Sequence, residues 1–92
     1  MTHAEQIMKA VTVLVYQEGK DTFARREIRD LIGISQKEWM SGYTSIFQGM
    51  RDDQPGKAPK VAEKFKGVFR QVKHGEHTLT VYGKRLLKEF AK

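Results

Sequence analysis

His74 and His77, three positions apart, and the adjacent Asp52 and Asp53 are the residues whose types could do chemistry. Two imidazoles flanking a turn could converge on a metal ion, but a zinc-type site needs three or four ligands and no further donor is spaced to join them. Adjacent carboxylates in a polar, flexible loop are not held at the fixed separation that acid-base catalysis requires. No nucleophile and base pair, phosphate-cradling glycine loop or dinucleotide fingerprint is found in the sequence. These residues predict a protein that binds and does not catalyse, with no metal and no cofactor.

The chain has 92 residues, which predicts one domain with a modest core and leaves no room for a deep interdomain cleft. Cysteine is absent, so disulfide and thiolate chemistry are excluded, in keeping with a reducing compartment. The longest apolar stretch, Ala10 to Tyr16, is far short of the roughly 20 residues a membrane-spanning helix needs, and no basic-then-apolar leader opens the chain. The expectation is a soluble cytoplasmic protein without a membrane partner.

Its net charge of +6 is unevenly placed. Residues 1–59 carry eight basic and eight acidic side chains, so the whole excess falls in residues 60–92. A one-sided basic excess suits a polyanion such as nucleic acid, whose phosphates reward clustered cations by counterion release. A solvated basic surface that aids solubility is the other reading.

The elements that must position these charges follow from periodicity. From His3 to about Glu18, Ile7, Val11, Leu14 and Val15 recur at helical spacing, and Gly19 ends the run. A short extended segment at Thr22-Phe23-Ala24 precedes a second helix over Arg25–Ile32 that buries Ile28, Leu31 and Ile32. Gly33 suits a left-handed cap that reverses the chain. The third helix begins at Gln36, because Ser35-Gln36-Lys37-Glu38 forms a capping box. Its apolar face is Trp39, Tyr43, Ile46 and Phe47, and its opposite face is Lys37, Ser41, Thr44 and Gln48.

The polar stretch Asp52 to Lys60 holds both prolines and reads as a loop, within a wider connection over 51–64. Val68–Lys73 and His77–Val81 look like two strands joined at His74-Gly75-Glu76, where Gly75 supplies the positive φ of a tight turn. A last helix over about 81–91 buries Leu86, Leu87 and Phe90, with Thr80 as its cap. Phe65 and Phe69 suit either the core or base stacking. The fold class expected is α+β, mainly α.

This order of elements resembles the winged-helix branch of the helix-turn-helix DNA-binding domains, with the helix-turn-helix at about 25–49 and the hairpin wing at about 66–81. Ile28, Ile32, Gly33, Ile34 and Trp39 stand at the buried or turn positions of that pattern. Arg29 departs from it where a small residue is usual, and Gly42 where an aliphatic one is usual, which predicts shifted helix packing with Tyr43 filling the place that Gly42 leaves. The end of the chain, "GEHTLTVYGKRLL", looks like the wing-to-helix exit of bacterial winged-helix proteins.

The resemblance implies double-stranded DNA as partner, with the third helix in the major groove and the wing on the backbone. Gln36 and Gln48 would then pair with adenine edges, Ser41 and Thr44 with bases or phosphates, and Lys37 with guanine or a phosphate. Arg25 and Arg26 sit at a helix start, where the dipole disfavours cations, and a phosphate partner would explain them. Lys64, Lys66, Arg70, Lys73 and His74 would supply the wing's backbone contacts. A small regulator or an accessory module of a DNA-processing system is expected, associated with the nucleoid. The alternative is a winged helix acting as an adaptor for a protein partner. Apolar residues on the first and last helices, more than one small core would bury, suggest a homodimer.

Overall fold

Local signals start most of the helices. A computed structural model describes residues 1–53 and 61–91, so the centre of the expected loop lies outside the described residues. Thr2 and Glu5 cap helix α1 (His3–Thr12) reciprocally: the Glu5 N–H donates to Thr2 Oγ1 at 3.2 Å and the Thr2 N–H donates to Glu5 Oε1 at 2.9 Å. The helix widens into a π-helical stretch, Val13–Gln17, closed by the Glu18 N–H on Val13 O, before Gly19 at φ 67° ends it.

Phe23 forms a single antiparallel bridge to His77, and α2 (Arg25–Ile32) follows directly. Ile28 is buried and Ile32 partly so, but Leu31 is 42% exposed, against expectation. An eight-residue helix meets the core along one ridge, and Leu31 falls beside that ridge. Gly33 adopts φ 84° and its N–H returns to Arg29 O, as the turn requires.

Helix α3 is one rod of three segments: Gln36–Glu38, a π-helical turn Trp39–Tyr43, and Thr44–Gly49. Trp39, Tyr43 and Phe47 are buried, and Ile46 packs on the core's edge. The space beside Gly42 is taken by His3 of α1, and not by Tyr43 as expected. His3 stacks on Tyr43 with ring centroids 4.0 Å apart, donates from Nδ1 to Gly42 O at 3.0 Å, and would lie only 3.0 Å from a Cβ at position 42. A glycine here lets α1 approach the π turn.

The end of α3 is tied to the hairpin. Val68 and Phe69 both donate their N–H to Met50 O, and Asp52 N–H donates to Phe69 O. Strands β1 (Phe69–Lys73) and β2 (Glu76–Leu79) pair antiparallel, with Phe69 opposite Leu79 and an irregularity between Gln71 and Lys73. Gly75 supplies the expected positive φ, 82°. The second strand stops at Leu79 and not Val81, because Thr80 leaves it to cap α4 (Val81–Phe90), accepting the Gly83 N–H at 3.0 Å. A 3-10 turn, Glu63–Phe65, precedes the hairpin.

The result is α+β and mainly helical, around a core in which Phe23, Phe47 and Phe69 meet at centroid distances of 4.8 and 5.7 Å. Ile7, Met8, Val11 and Leu14 of α1 and Leu86 and Leu87 of α4 are all buried in it. The surplus apolar surface expected on these two helices is thus largely used within the chain, leaving Tyr16, Val81 and Tyr82 exposed. Phe65 and Phe69 are also core residues, which removes the stacking reading. Among the described residues, no helix is long and apolar enough to cross a membrane.

Two glycines should fail for different reasons. A Cβ at Gly83 would lie 2.2 Å from Val68 O, a backbone atom that cannot swing away, so Gly83→Ala should force α4 off the hairpin. A Cβ at Gly33 would meet nothing within 4 Å among the described residues, and only the left-handed backbone objects. Thermal or urea melts should show Gly33→Ala costing about 1–2 kcal/mol and Gly83→Ala costing about 3 kcal/mol or more.

Candidate nucleic-acid interface

Two hollows share the arginines of α2. The first, about 340 Å³, lies between α2 and α3 and is lined by Arg25, Arg26, Arg29, Gln36, Trp39, Met40 and Thr44. The second, about 490 Å³, lies between the start of α2, the end of α3 and the hairpin, where Ala24, Arg25, Arg26, Gln48, Arg51, Gln71, His74, Gly75 and His77 meet. Arg25 and Arg26 line both, so a basic surface runs from the start of α3 to the hairpin tip.

Packing directs these side chains. Arg25 is half-buried, with its guanidinium carbon 5.3 Å above the Phe47 ring and Nη2 donating to Gln48 Oε1 at 2.9 Å. Its Nε has no partner among the described residues. Burial and the nearby Arg51 charge push the Arg25 pKa down. Arg26 is exposed, and neither it nor Arg25 has a carboxylate partner among the described residues.

Two of the expected base readers are already engaged. Gln48 is half-buried with its carbonyl committed to Arg25, and the Gln36 carbonyl accepts from Arg29 Nη1, so each offers chiefly its amide donors outward. The larger side chain at position 29 therefore braces the turn where a small one was expected. Thr44 is half-buried with its hydroxyl on Trp39 O, the carbonyl at which the π turn begins. Lys37 and Ser41 stand exposed on the first turns of α3, the serine hydroxyl donating to Glu38 O at 3.1 Å.

On the hairpin, Arg70 pairs with Asp52 at 3.3 Å and Lys73 with Glu76 at 3.6 Å, both at the surface. Exposed pairs of this kind contribute roughly 0–1 kcal/mol and exchange readily for a phosphate. His74 is exposed at the turn. Lys64 and Lys66 belong elsewhere: Lys66 holds Glu63 within the 3-10 turn, and Lys64 lines a separate hollow against Thr2, His3 and Ala4 at the start of α1. The structure does not join these two lysines to the arginine surface. Lys84 and Lys88 of α4 line yet another hollow, beside Tyr16 and Lys20.

The aspartates are held more firmly than a flexible loop implies. Asp53 accepts from Arg51 Nε at 3.0 Å and Nη2 at 2.6 Å, and this bond holds its carboxyl below the usual range. Asp52 is fixed by its backbone bond to Phe69. Both carboxylates are engaged by arginines, which gives them a structural role. No cluster of three metal-ligating side chains exists among the described residues.

Sequence reasoning missed Arg51 altogether, and it took His77 only as a possible metal ligand beside the turn, not as a buried residue. His77 is 2% exposed, its ring meets Phe47 edge-on at 4.9 Å, and neither ring nitrogen has a partner among the described residues. Burial, reinforced by the charges of Arg25 and Arg51, pushes its pKa down to about 4. A signal was present in the alternation His77-Thr78-Leu79, which places His77 on the inward face with Leu79. Arg51 carries no such pattern.

In comparisons with known proteins, no family model, curated protein or solved structure matches the chain.

The histidine predicts an acid weakness with a definite sign. Its folded pKa lies below the ordinary value, so the unfolded chain takes up a proton near pH 6.5 while the folded chain does not, and stability falls as pH drops from about 6.5 towards 4. Glu5, Glu27 and Asp53, all shifted downward, begin to contribute to acid loss about a pH unit above their ordinary values of 4.5, 4.5 and 3.8. Urea unfolding between about pH 7.5 and 5.5 should therefore isolate His77, with a loss on the order of 1 kcal/mol. His77→Phe should flatten that slope.

Proposed function

We propose that the chain is a winged-helix module that binds double-stranded DNA, as a small regulator or an accessory part of a DNA-processing system, without catalysis. The element order supports this reading: a helix, a one-residue bridge to the hairpin at Phe23, two helices around a glycine turn, the hairpin, and a closing helix. The observation that carries it is the arginine surface of α2, where Arg25 and Arg26 lack carboxylate partners among the described residues beside the exposed first turns of α3. An unpaired cation at a helix start is disfavoured by the helix dipole and is relieved by a phosphate.

The engagement of Gln48 and Thr44 within the fold moves base reading towards the start of α3, where Lys37, Met40 and Ser41 are exposed. A protein-adaptor role is the second reading, supported by Met40, 67% exposed beside the first hollow, and by Leu31, 42% exposed beside a separate hollow between α1 and α2. Salt separates the two, since phosphate neutralisation weakens linearly in log salt while apolar docking hardly responds.

Selection from random duplexes, then fluorescence anisotropy on matched and mismatched sites across a salt series, tests the proposal. Lys37→Ala and Ser41→Ala should change preference among sequences, at about 1–3 kcal/mol for each lost base contact. Arg26→Ala and Arg70→Ala should weaken all duplexes alike and reduce the salt slope by about 0.9 per lost phosphate contact. A parent chain that binds no duplex at low salt ends the DNA reading.

A further inference from the structure

We propose that the cleft between the start of α2, the end of α3 and the hairpin is a phosphate-binding pocket, in which Arg25, Arg51 and His77 receive one tetrahedral phosphate group. The pocket goes beyond duplex recognition and stands or falls separately from it.

Three observations converge on this cleft. Two guanidinium groups, from Arg25 and Arg51, line it, and Arg51 is only 9% exposed. Their charges act on one another and on His77, and the one carboxylate bonded to either is Asp53 on Arg51, among the described residues. The second observation is the set of open donors and acceptors. Arg25 Nε and both ring nitrogens of His77 have no partner among the described residues, and a buried polar group left in that state is costly.

The third observation concerns two glutamines. Arg25 Nη2 donates to Gln48 Oε1 at 2.9 Å, and Arg51 Nη2 donates to Gln71 Oε1 at 2.7 Å. Each neutral amide oxygen meets a guanidinium as a phosphate oxygen would. A phosphate in their place gives each arginine a charge-assisted bond, and rotation of either glutamine turns its amide N–H groups towards the anion. A neutral His77 donates one further N–H. The charged groups around the site are Arg25 and Arg26 from α2 and Arg51 and Asp53 after α3, with the His74 ring at the hairpin tip, so positive charge predominates. A hollow of about 490 Å³ leaves space for the remainder of a phosphorylated molecule or for a nucleic-acid backbone.

The test is titration of the parent chain with inorganic phosphate on the order of 10 mM, against chloride at equal ionic strength, followed by thermal melting and by the NMR signals of the His77 ring. Saturable stabilisation of about 3 °C or more is expected, with the His77 titration moving up from about 4. Gln71→Glu should abolish the response without loss of fold, because its carboxylate occupies Arg51 in advance. Arg25→Gln should weaken the response at least tenfold. A duplex without terminal phosphates distinguishes the sources. If it displaces phosphate or shifts the His77 signals, the pocket takes a backbone phosphodiester; if it leaves both unchanged while phosphate binds, the pocket takes a free phosphate or phosphomonoester. The proposal is overturned if neither phosphate nor duplex perturbs His77, or if both variants respond as the parent does. Failure of duplex binding alone ends the DNA reading and leaves the pocket standing.

Discussion

The paired backbone bonds between Phe23 and His77, each N–H on the other's carbonyl at 2.9 Å, are the constraint on which the arrangement depends. They attach the segment before α2 to the outer edge of β2, so the first residue of α2 starts beside the hairpin. Phe23 then meets Phe69 across the core, and His77 meets Phe47. One bridge thus sets where Arg25 emerges and which core ring its guanidinium covers.

The same junction has an electrostatic cost. A buried imidazole without partners among the described residues and two neighbouring guanidinium groups concentrate donors and positive charge in a small region. Asp53 offsets part of the charge, and the glutamine carbonyls satisfy part of the donors. A core chosen for stability alone would hold a phenylalanine at position 77 and would leave nothing unsatisfied. Departures of this kind are commonly found where a fold has been adapted to bind something.

The π-helical turn in α3 and the close seat of His3 against Gly42 form a second coupling, between α1 and α3. A π turn widens the helix and leaves part of its backbone bonding to be completed by other groups. Here the Trp39 carbonyl also accepts the Thr44 hydroxyl, and the Gly42 carbonyl accepts from His3. The exposed start of α3 and its buried end therefore do not follow one uninterrupted helical period, and Thr44 turns into the groove beside Trp39.

The amino-acid sequence by itself determined what depends on neighbours within a few positions. The capping box at Ser35, the left-handed turns at Gly33 and Gly75, the cap at Thr80, the helical stripe of α1 and the inward face of α3 were all legible, because each arises from local hydrogen bonding, backbone sterics or apolar periodicity. Only the tertiary structure decided what depends on residues distant in the chain. The basic excess of residues 60–92 pointed to the hairpin and last helix, yet the arginine surface comes from Arg25, Arg26, Arg29 and Arg51, in the part of the chain whose charges cancel. Net charge adds over a segment without regard to direction, whereas a binding surface depends on which side chains face the same way. Gln36 and Gln48 looked free because a helical wheel shows the face of a residue and not the arginine that reaches across to it. Gly83 and His77 are alike in this respect: the Val68 carbonyl that excludes a methyl group and the buried environment that keeps an imidazole neutral come together only on folding.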